Sequence, residues 1–221
     1  HGTNKEFDKF NLENIGKGEG TDAFGNNTNI FGDGIYLTDN KQIADVYAAG
    51  SAKKDFITGY RDTGILGTPE PVYKEGVEDL IKKNKKVIET YFGGKLLDAK
   101  TYQVDDNLKG ILSKELQKDG FSKQNADRIV NTAITFYRNN FRNIEGSDTG
   151  ELIYVLDKTI GVNNREGLNA VNKYFGSKGY SGIKYPSDLR YEGVPGNNYF
   201  IFDTNKIKTS MQFVISYYYY Y

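Results

Sequence analysis

The sequence predicts an α+β fold, on three observations. Short runs of β-branched and aromatic residues, Ile35-Tyr36-Leu37, Gly182-Ile183-Lys184-Tyr185 and Tyr199 to Phe202, read as strands. A central block, residues 69–149, instead carries apolar residues at helical spacing. Strands and helices mix without the regular alternation that builds a doubly wound parallel sheet.

Taken in order, residues 1–34 read as a strand end followed by a long loop, with Gly16-Lys17-Gly18-Glu19-Gly20 and Gly25-Asn26-Asn27 shaping it. After the strand Ile35–Leu37, Asp39 is the expected N-cap of a helix running to about Ala49, with Gln42 as capping-box partner. Ile43 and Tyr47 are four apart and are expected to share one inward face. In the central block, Val77, Leu80, Ile81, Val87, Ile88 and Tyr91 form one helical pattern. Leu108, Ile111, Leu112 and Leu116 form a second, and Ile129, Ala133, Ile134, Phe136 and Tyr137 a third. Pro69 and Pro71 precede the block, and Gly93-Gly94, Gly120 and Gly146 punctuate it. It reads as three helices inserted into the core, either a solvated cap or a lid that recognises an acceptor. The core resumes at Glu151, where Leu152-Ile153-Tyr154-Val155-Leu156 is expected to be a strand. Asn163 or Asn164 caps a helix with Leu168, Val171 and Phe175 on one face, ended by Gly176. Pro186 to Gly196 is a polar loop between the last two strands. Phe213 to Tyr221, with five terminal tyrosines, has strong strand propensity. It either stands in for a strand that would precede His1 or is an added or lattice-packing strand outside the fold. The segments are thus 1–68, first part of the core; 69–149, helical insertion; and 150–221, second part of the core with the Tyr-rich tail.

Composition removes several function classes. Lys+Arg and Asp+Glu both number 29 in 221 residues, so no net charge drives attachment to nucleic acid or an anionic membrane. The chain has no cysteine and one histidine, which excludes disulfides, thiolate sites and most His-based metal centres. No apolar run approaches the roughly 18–20 residues that span a bilayer. Eighteen tyrosines suggest half-buried strands and a wet, aromatic-lined cleft. A chain that begins at His1 is expected to have been cut from a longer polypeptide.

Four pieces carry chemistry: His1-Gly2-Thr3; Phe31-Gly32-Asp33-Gly34-Ile35-Tyr36; Tyr47; and Asn198-Tyr199-Phe200-Ile201-Phe202-Asp203. A histidine can hydrogen-bond a sugar hydroxyl, a glycine backbone can reach a carboxamide unobstructed, and two aromatics can sandwich a flat ring. Each also has a plain reading: Tyr36 and Tyr47 as core aromatics, Gly18 and Gly20 as loop glycines, Asp203 as the cap of a turn with Thr204 and Asn205.

In this order the pieces resemble the NAD-binding core of the diphtheria-toxin-like ADP-ribosyltransferases, the clade that includes the poly(ADP-ribose) polymerases. The chain is more closely similar to a bacterial and phage-associated branch found in large polyvalent proteins. That likeness rests on Phe7-Asp8-Lys9-Phe10-Asn11-Leu12, Ile15-Gly16-Lys17-Gly18-Glu19-Gly20, Gly179-Tyr180-Ser181-Gly182-Ile183-Lys184-Tyr185 and Asn198 to Asp203. It covers residues 1–49 and about 150–208, and neither the insertion nor the tail.

The resemblance implies a core of two packed, mainly antiparallel sheets around an NAD cleft. It implies NAD as co-substrate, no metal, and a cofactor-binding set of His1, Gly2, Thr3, Gly34, Tyr36 and Tyr47. His1 would hold the adenosine-side ribose, Gly2 the carboxamide, and the two tyrosines the nicotinamide. Two departures matter. Ala44 stands where a hydroxyl often assists the carboxamide, and Asn198 stands where the polymerases carry the catalytic glutamate. Asparagine can hydrogen-bond a ribose but brings no charge and no useful base. Either a carboxylate comes from elsewhere, Glu192 first and Glu19 second, or the acceptor is already anionic and needs no base; the catalytic set reads His1, Tyr36, Asn198 and Glu192. The implied activity is mono-ADP-ribosyl transfer from NAD to a protein or nucleic-acid acceptor, as a bacterial or phage effector acting in the cytoplasm without membrane attachment. The alternatives are a catalytically silent NAD- or ADP-ribose-binding module of a larger phage or plasmid protein, and a purely structural interaction domain.

Overall fold

The computed structural model describes residues 2–3, 10, 31–61, 70–141, 150–161, 164–186 and 196–209. The architecture is α+β, as expected. In chain order the elements are β1 (Gly2–Thr3), β2 (Ile35–Thr38), α1 (Lys41–Lys54), β3 (Ile57–Arg61), β4 (Glu70–Tyr73), α2 (Val77–Asn84), β5 (Lys86–Val87), β6 (Thr90–Phe92) and β7 (Leu96–Asp98). There follow α3 (Asp106–Lys118), α4 (Lys123–Asn140), α5 (Glu151–Thr159), α6 (Arg165–Ser177), β8 (Gly182–Pro186), β9 (Asn197–Ile201) and β10 (Ile207–Thr209). The largest sheet has the order β2-β9-β8-β7, antiparallel except where β7 runs parallel to β8. Two-stranded ladders join β1 to β5, β6 to β10 and β3 to β4.

Strand alternation sends side chains to two sides of the four-stranded sheet. Ile35, Leu37 and Ile201 pack with Phe10 and Ile207 on one side. Phe200, Ile183 and Tyr185 pack on the other, with Phe31 and the apolar faces of α3, α4, α5 and α6. Among the described residues no helix is long and apolar enough to cross a membrane.

The expected cap of α6 is present, while the end of α6 and both ends of α1 differ from expectation. Asn164 caps α6, its side chain accepting from Gly167 N at 2.8 Å, and Leu168, Val171 and Phe175 are buried. Helix α6 passes through Gly176 to Ser177, and the left-handed residue after it is Gly179, at φ +81°. The cap of α1 shifts by one residue. Asn40, not Asp39, accepts from Gln42 N and Ile43 N, and the helix continues past Ala49 to Lys54 because Ala48 and Ala52 are wholly buried.

Two larger expectations of the fold are also corrected. Leu152–Leu156 is helix, inside α5, not strand. An unbroken apolar run has no period to distinguish a buried strand from a helix enclosed on most sides. Here Leu152 and Val155 are fully buried, and α5 packs on α4. Glu151, in the first turn of α5, is buried and receives Arg138 Nε and Nη2, both at 2.7 Å, and Val104 N at 2.9 Å. A buried carboxylate so fully paired is tolerated, and it ties α4 and the loop before α3 to α5.

The second correction concerns 69–149. Three helices are present, α2, α3 and α4, but the first ends at Asn84. Val87 and Tyr91 lie in β5 and β6, which pair with β1 and β10, and β7 joins the main sheet beside β8. The block is therefore woven into the core rather than inserted as a separable unit. Leu108, Leu112, Leu116, Ala126, Val130 and Ile134 share one cluster with Phe200. The Gly-rich segments at 16–20 and 25–27, most of the 186–196 loop and the Tyr-rich tail lie outside the described residues.

Candidate functional site

The Phe31–Tyr36 motif is a turn leading into β2, and α6 holds that turn. Asp33 N donates to Asn169 Oδ1 at 3.0 Å, and Asn169 Nδ2 returns a bond to Asp33 Oδ2 at 2.8 Å. Arg165 Nε lies 2.6 Å from Asp33 Oδ1, and Asn172 Nδ2 donates to Phe31 O at 2.7 Å. Gly32, at φ +85°, lies so close to α6 that a Cβ would sit 2.9 Å from Leu168 Cβ and Asn169 Oδ1. Gly34 abuts β9; a Cβ there would fall 2.2 Å from the Phe200 ring. The resemblance assigns Gly34 to cofactor binding, and the structure gives it close packing of motif against sheet.

Tyr36 and Asn198 come together through the β2–β9 ladder. Tyr36 lies opposite Phe200 and Thr38 opposite Asn198, so Tyr36 and Asn198 occupy one sheet face, diagonally across one step. The Tyr36 ring packs on Phe200 at 5.1 Å between centroids, and its hydroxyl accepts from Phe31 N at 3.3 Å. Tyr36 is thus partly a framework residue. Asn198 is 4% exposed, and among the described residues its side-chain amide has no hydrogen-bond partner. Most buried polar groups in folded proteins are bonded, so this amide is an exception that needs a reason.

Gly2 lies against α1. A Cβ on Gly2 would fall 2.0 Å from Ala44 O, 2.5 Å from Ala48 N and 3.0 Å from Tyr47 Cβ. The Gly2 backbone thereby reaches the turn of α1 that carries both Ala44 and Tyr47. Tyr47 is expected to face inward beside Ile43. Instead Ile43 is 2% and Tyr47 38% exposed, since the buried face of α1 runs through Ile43, Ala44, Ala48 and Ala52 and Tyr47 lies at its edge. His1, Glu19, Glu192 and the Thr3 side chain lie outside the described residues.

Asp39 is a residue that sequence patterning assigns wrongly, as a helix cap. Its carboxylate accepts Asn197 N at 2.7 Å, Asn197 Nδ2 at 2.8 Å and Tyr199 Oη at 2.9 Å. Burial raises its pKa, but the bonds from Asn197 and Tyr199 outweigh that and leave it below the ordinary value. Burial, then the Asp39 bond and charge, push the Tyr199 phenol up to about 12. No local signal announces a contact 158 residues away in sequence.

Two surface concavities lie elsewhere. One, of about 500 Å³, runs along α4 past Arg128, Asn131, Thr135 and Phe136. The other, of about 280 Å³, is bordered by Tyr102, Asp105, Tyr174 and Lys178. There both phenols donate to Asp105 Oδ2, at 2.9 and 2.7 Å. Neither concavity is lined by a residue of the four chemistry-bearing pieces; Tyr180, from the Gly179–Tyr185 motif, borders the second. Among the described residues no cluster of His, Cys, Asp or Glu could hold a metal ion. No protein-family model, no curated protein and no solved structure matches the chain.

Proposed function

We propose that this chain is an NAD-binding domain of the ADP-ribosyltransferase type that transfers a single ADP-ribose from NAD to an acceptor. The observation that carries the reading is the Asn198 amide, buried and without a hydrogen-bond partner among the described residues, on the same sheet face as Tyr36. An unsatisfied buried amide costs about 1–3 kcal/mol, a cost that a ligand hydroxyl in hydrogen-bond reach would remove. The close seat of Gly2 on α1, beside Tyr47, is in keeping with a backbone segment and an aromatic shared by one nicotinamide subsite. In this reading Asn198 orients the ribose, Tyr47 borders the nicotinamide, and Tyr36 steadies the motif. The acceptor, if already anionic, needs no base. The finer fold assignment, two packed sheets around an NAD cleft, belongs to the same proposal.

One observation favours a second reading, the silent binding module. Asn198 carries no charge, and Tyr36 spends its hydroxyl and one ring contact on the protein itself. Loss of a charge-stabilising group commonly costs orders of magnitude in rate. The deciding experiment incubates the chain with labelled NAD and bacterial lysate, measuring NAD binding, nicotinamide release and labelled products. Transfer requires all three. Binding without nicotinamide release, in both the parent and Asn198→Glu, would replace transfer with the silent module. No binding at all would leave only the structural interaction domain. In the transfer reading, Asn198→Ala lowers kcat with only a modest loss of NAD affinity, because the bond tightens as the glycosidic bond breaks.

A further inference from the structure

At the start of β9 the hydrogen-bond ladder runs out on both sides. The β2 register ends at Thr38, opposite Asn198, and the residue of β8 opposite Asn197 is Pro186, which has no N–H to offer. Asn197 would begin the strand with loose backbone groups. Asp39 and Thr38 hold them instead. Asn197 O accepts from Asp39 N at 3.2 Å and from Thr38 Oγ1 at 3.0 Å. Asn197 N and Nδ2 both donate to the Asp39 carboxylate, at 2.7 and 2.8 Å. Tyr199 Oη, two residues on, donates to the same carboxylate at 2.9 Å. Asp39 therefore grips the residues immediately before and after Asn198. Side chains alternate along a strand, so fixing 197 and 199 on one side directs Asn198 to the other, the side that carries Tyr36. Capping of α1 makes no demand on Asp39, because Asn40 does that work.

We propose that Asp39 is the positioning residue of this site: clamped between Asn197 and Tyr199, its carboxylate sets the height and direction of the Asn198 amide. The proposal deepens the NAD reading and rests on it for its kinetic consequence, though not for its structural one. Glu192 is the carboxylate that sequence offers to offset the missing glutamate. Asp39 acts differently, through the strand and without touching a ligand.

The test uses the full chain with Asp39→Ala, Asp39→Asn and Tyr199→Phe. Asp39→Ala is expected to lower kcat for nicotinamide release about tenfold with KM changed less than about threefold, since orientation matters most as the bond breaks. Tyr199→Phe, which deletes one oxygen, is expected to lower kcat about two- to fivefold. Asp39→Asn keeps one acceptor oxygen and is expected to fall between Asp39→Ala and the parent. A merely structural role would lower Tm while kcat per folded molecule stayed at the parent value, and that result overturns the proposal. If Asp39→Ala fails to fold, an unchanged kcat in Tyr199→Phe overturns it equally. A second readout is independent of turnover: the side-chain amide resonances of Asn198 in ¹⁵N NMR spectra. They should shift and exchange faster in Asp39→Asn and Tyr199→Phe; unmoved resonances overturn the proposal. A parent chain that releases no nicotinamide removes the enzyme reading alone, and the resonances then decide the positioning role by themselves.

Discussion

Asp33 and Asn169, 136 residues apart in sequence, bond each other twice, backbone to side chain at 3.0 Å and side chain to side chain at 2.8 Å. The pair fastens the Phe31–Gly34 turn to α6, and through it sets where β2 enters the sheet. Asn169→Ala removes both bonds and leaves Asp33 N without its acceptor. A loss of about 1–3 kcal/mol is expected in urea unfolding. Arg165→Ala, which removes a largely exposed ion pair to the same carboxylate, is expected to cost less than about 1 kcal/mol. Equal losses in the two variants would mean that the clamp is not centred on Asn169.

Gly2 has no room for a side chain. Gly2→Ala puts a methyl group 2.0 Å from Ala44 O, so β1 must move off α1. Loss of stability by about 1–3 kcal/mol is expected, from forced backbone displacement. Gly50→Ala is the control: nothing lies within 4 Å of its Cβ, and it sits inside α1. Alanine there should stabilise by about 0.5–1 kcal/mol through helix propensity. Thermal melts of the two variants moving in the same direction would contradict the packing described for Gly2.

The block 70–148 is expected to be indispensable, although its helical spacing suggests an insertion. Leu112 is fully buried in the cluster that includes Phe200 and Phe31. Leu112→Ala should destabilise by about 2–5 kcal/mol, the cost of a core cavity. Replacing 70–148 with a Gly/Ser linker would remove the strand partners of β1 and β10 and one of the two partners of β8, and expose the apolar faces of α5 and α6. Aggregation is the expected result, and a soluble monomer with a cooperative melt would refute it.

The Asp39–Tyr199 bond has a definite pH window. Asp39 has a folded pKa below its ordinary 3.8, so its contribution is present above that value and is lost as pH falls through the folded pKa. Tyr199 has a folded pKa raised from 10.0 to about 12, so its contribution is full below pH 10.0 and is lost as pH rises towards about 12. The stability difference between the parent and Tyr199→Phe should be flat across neutral pH and shrink at both ends. Denaturation at a series of pH values, with phenolate absorbance followed in parallel, measures it. A difference that grew between pH 10 and 12 would have the wrong sign.

By itself the sequence determined the elements whose signal is local. Periodicity located α3 and α4, side-chain capping located the start of α6 at Asn164, and short aromatic strands located β2, β8 and β9. It also singled out Tyr36 and Asn198, whose shared sheet face then follows from the β2–β9 register. Tertiary structure decided the rest. Leu152–Leu156 became helix because burial on most sides overrides strand propensity, and a continuous apolar run carries no period to say which. Lys86–Val87, Thr90–Phe92 and Leu96–Asp98 became strands because β1, β10 and β8 offered ladder partners, which no local pattern records. Between adjacent polar residues, Asn40 took the helix cap and left Asp39 to the far strand. Either side chain could have capped α1, and only the arrival of Asn197 and Tyr199 made the division.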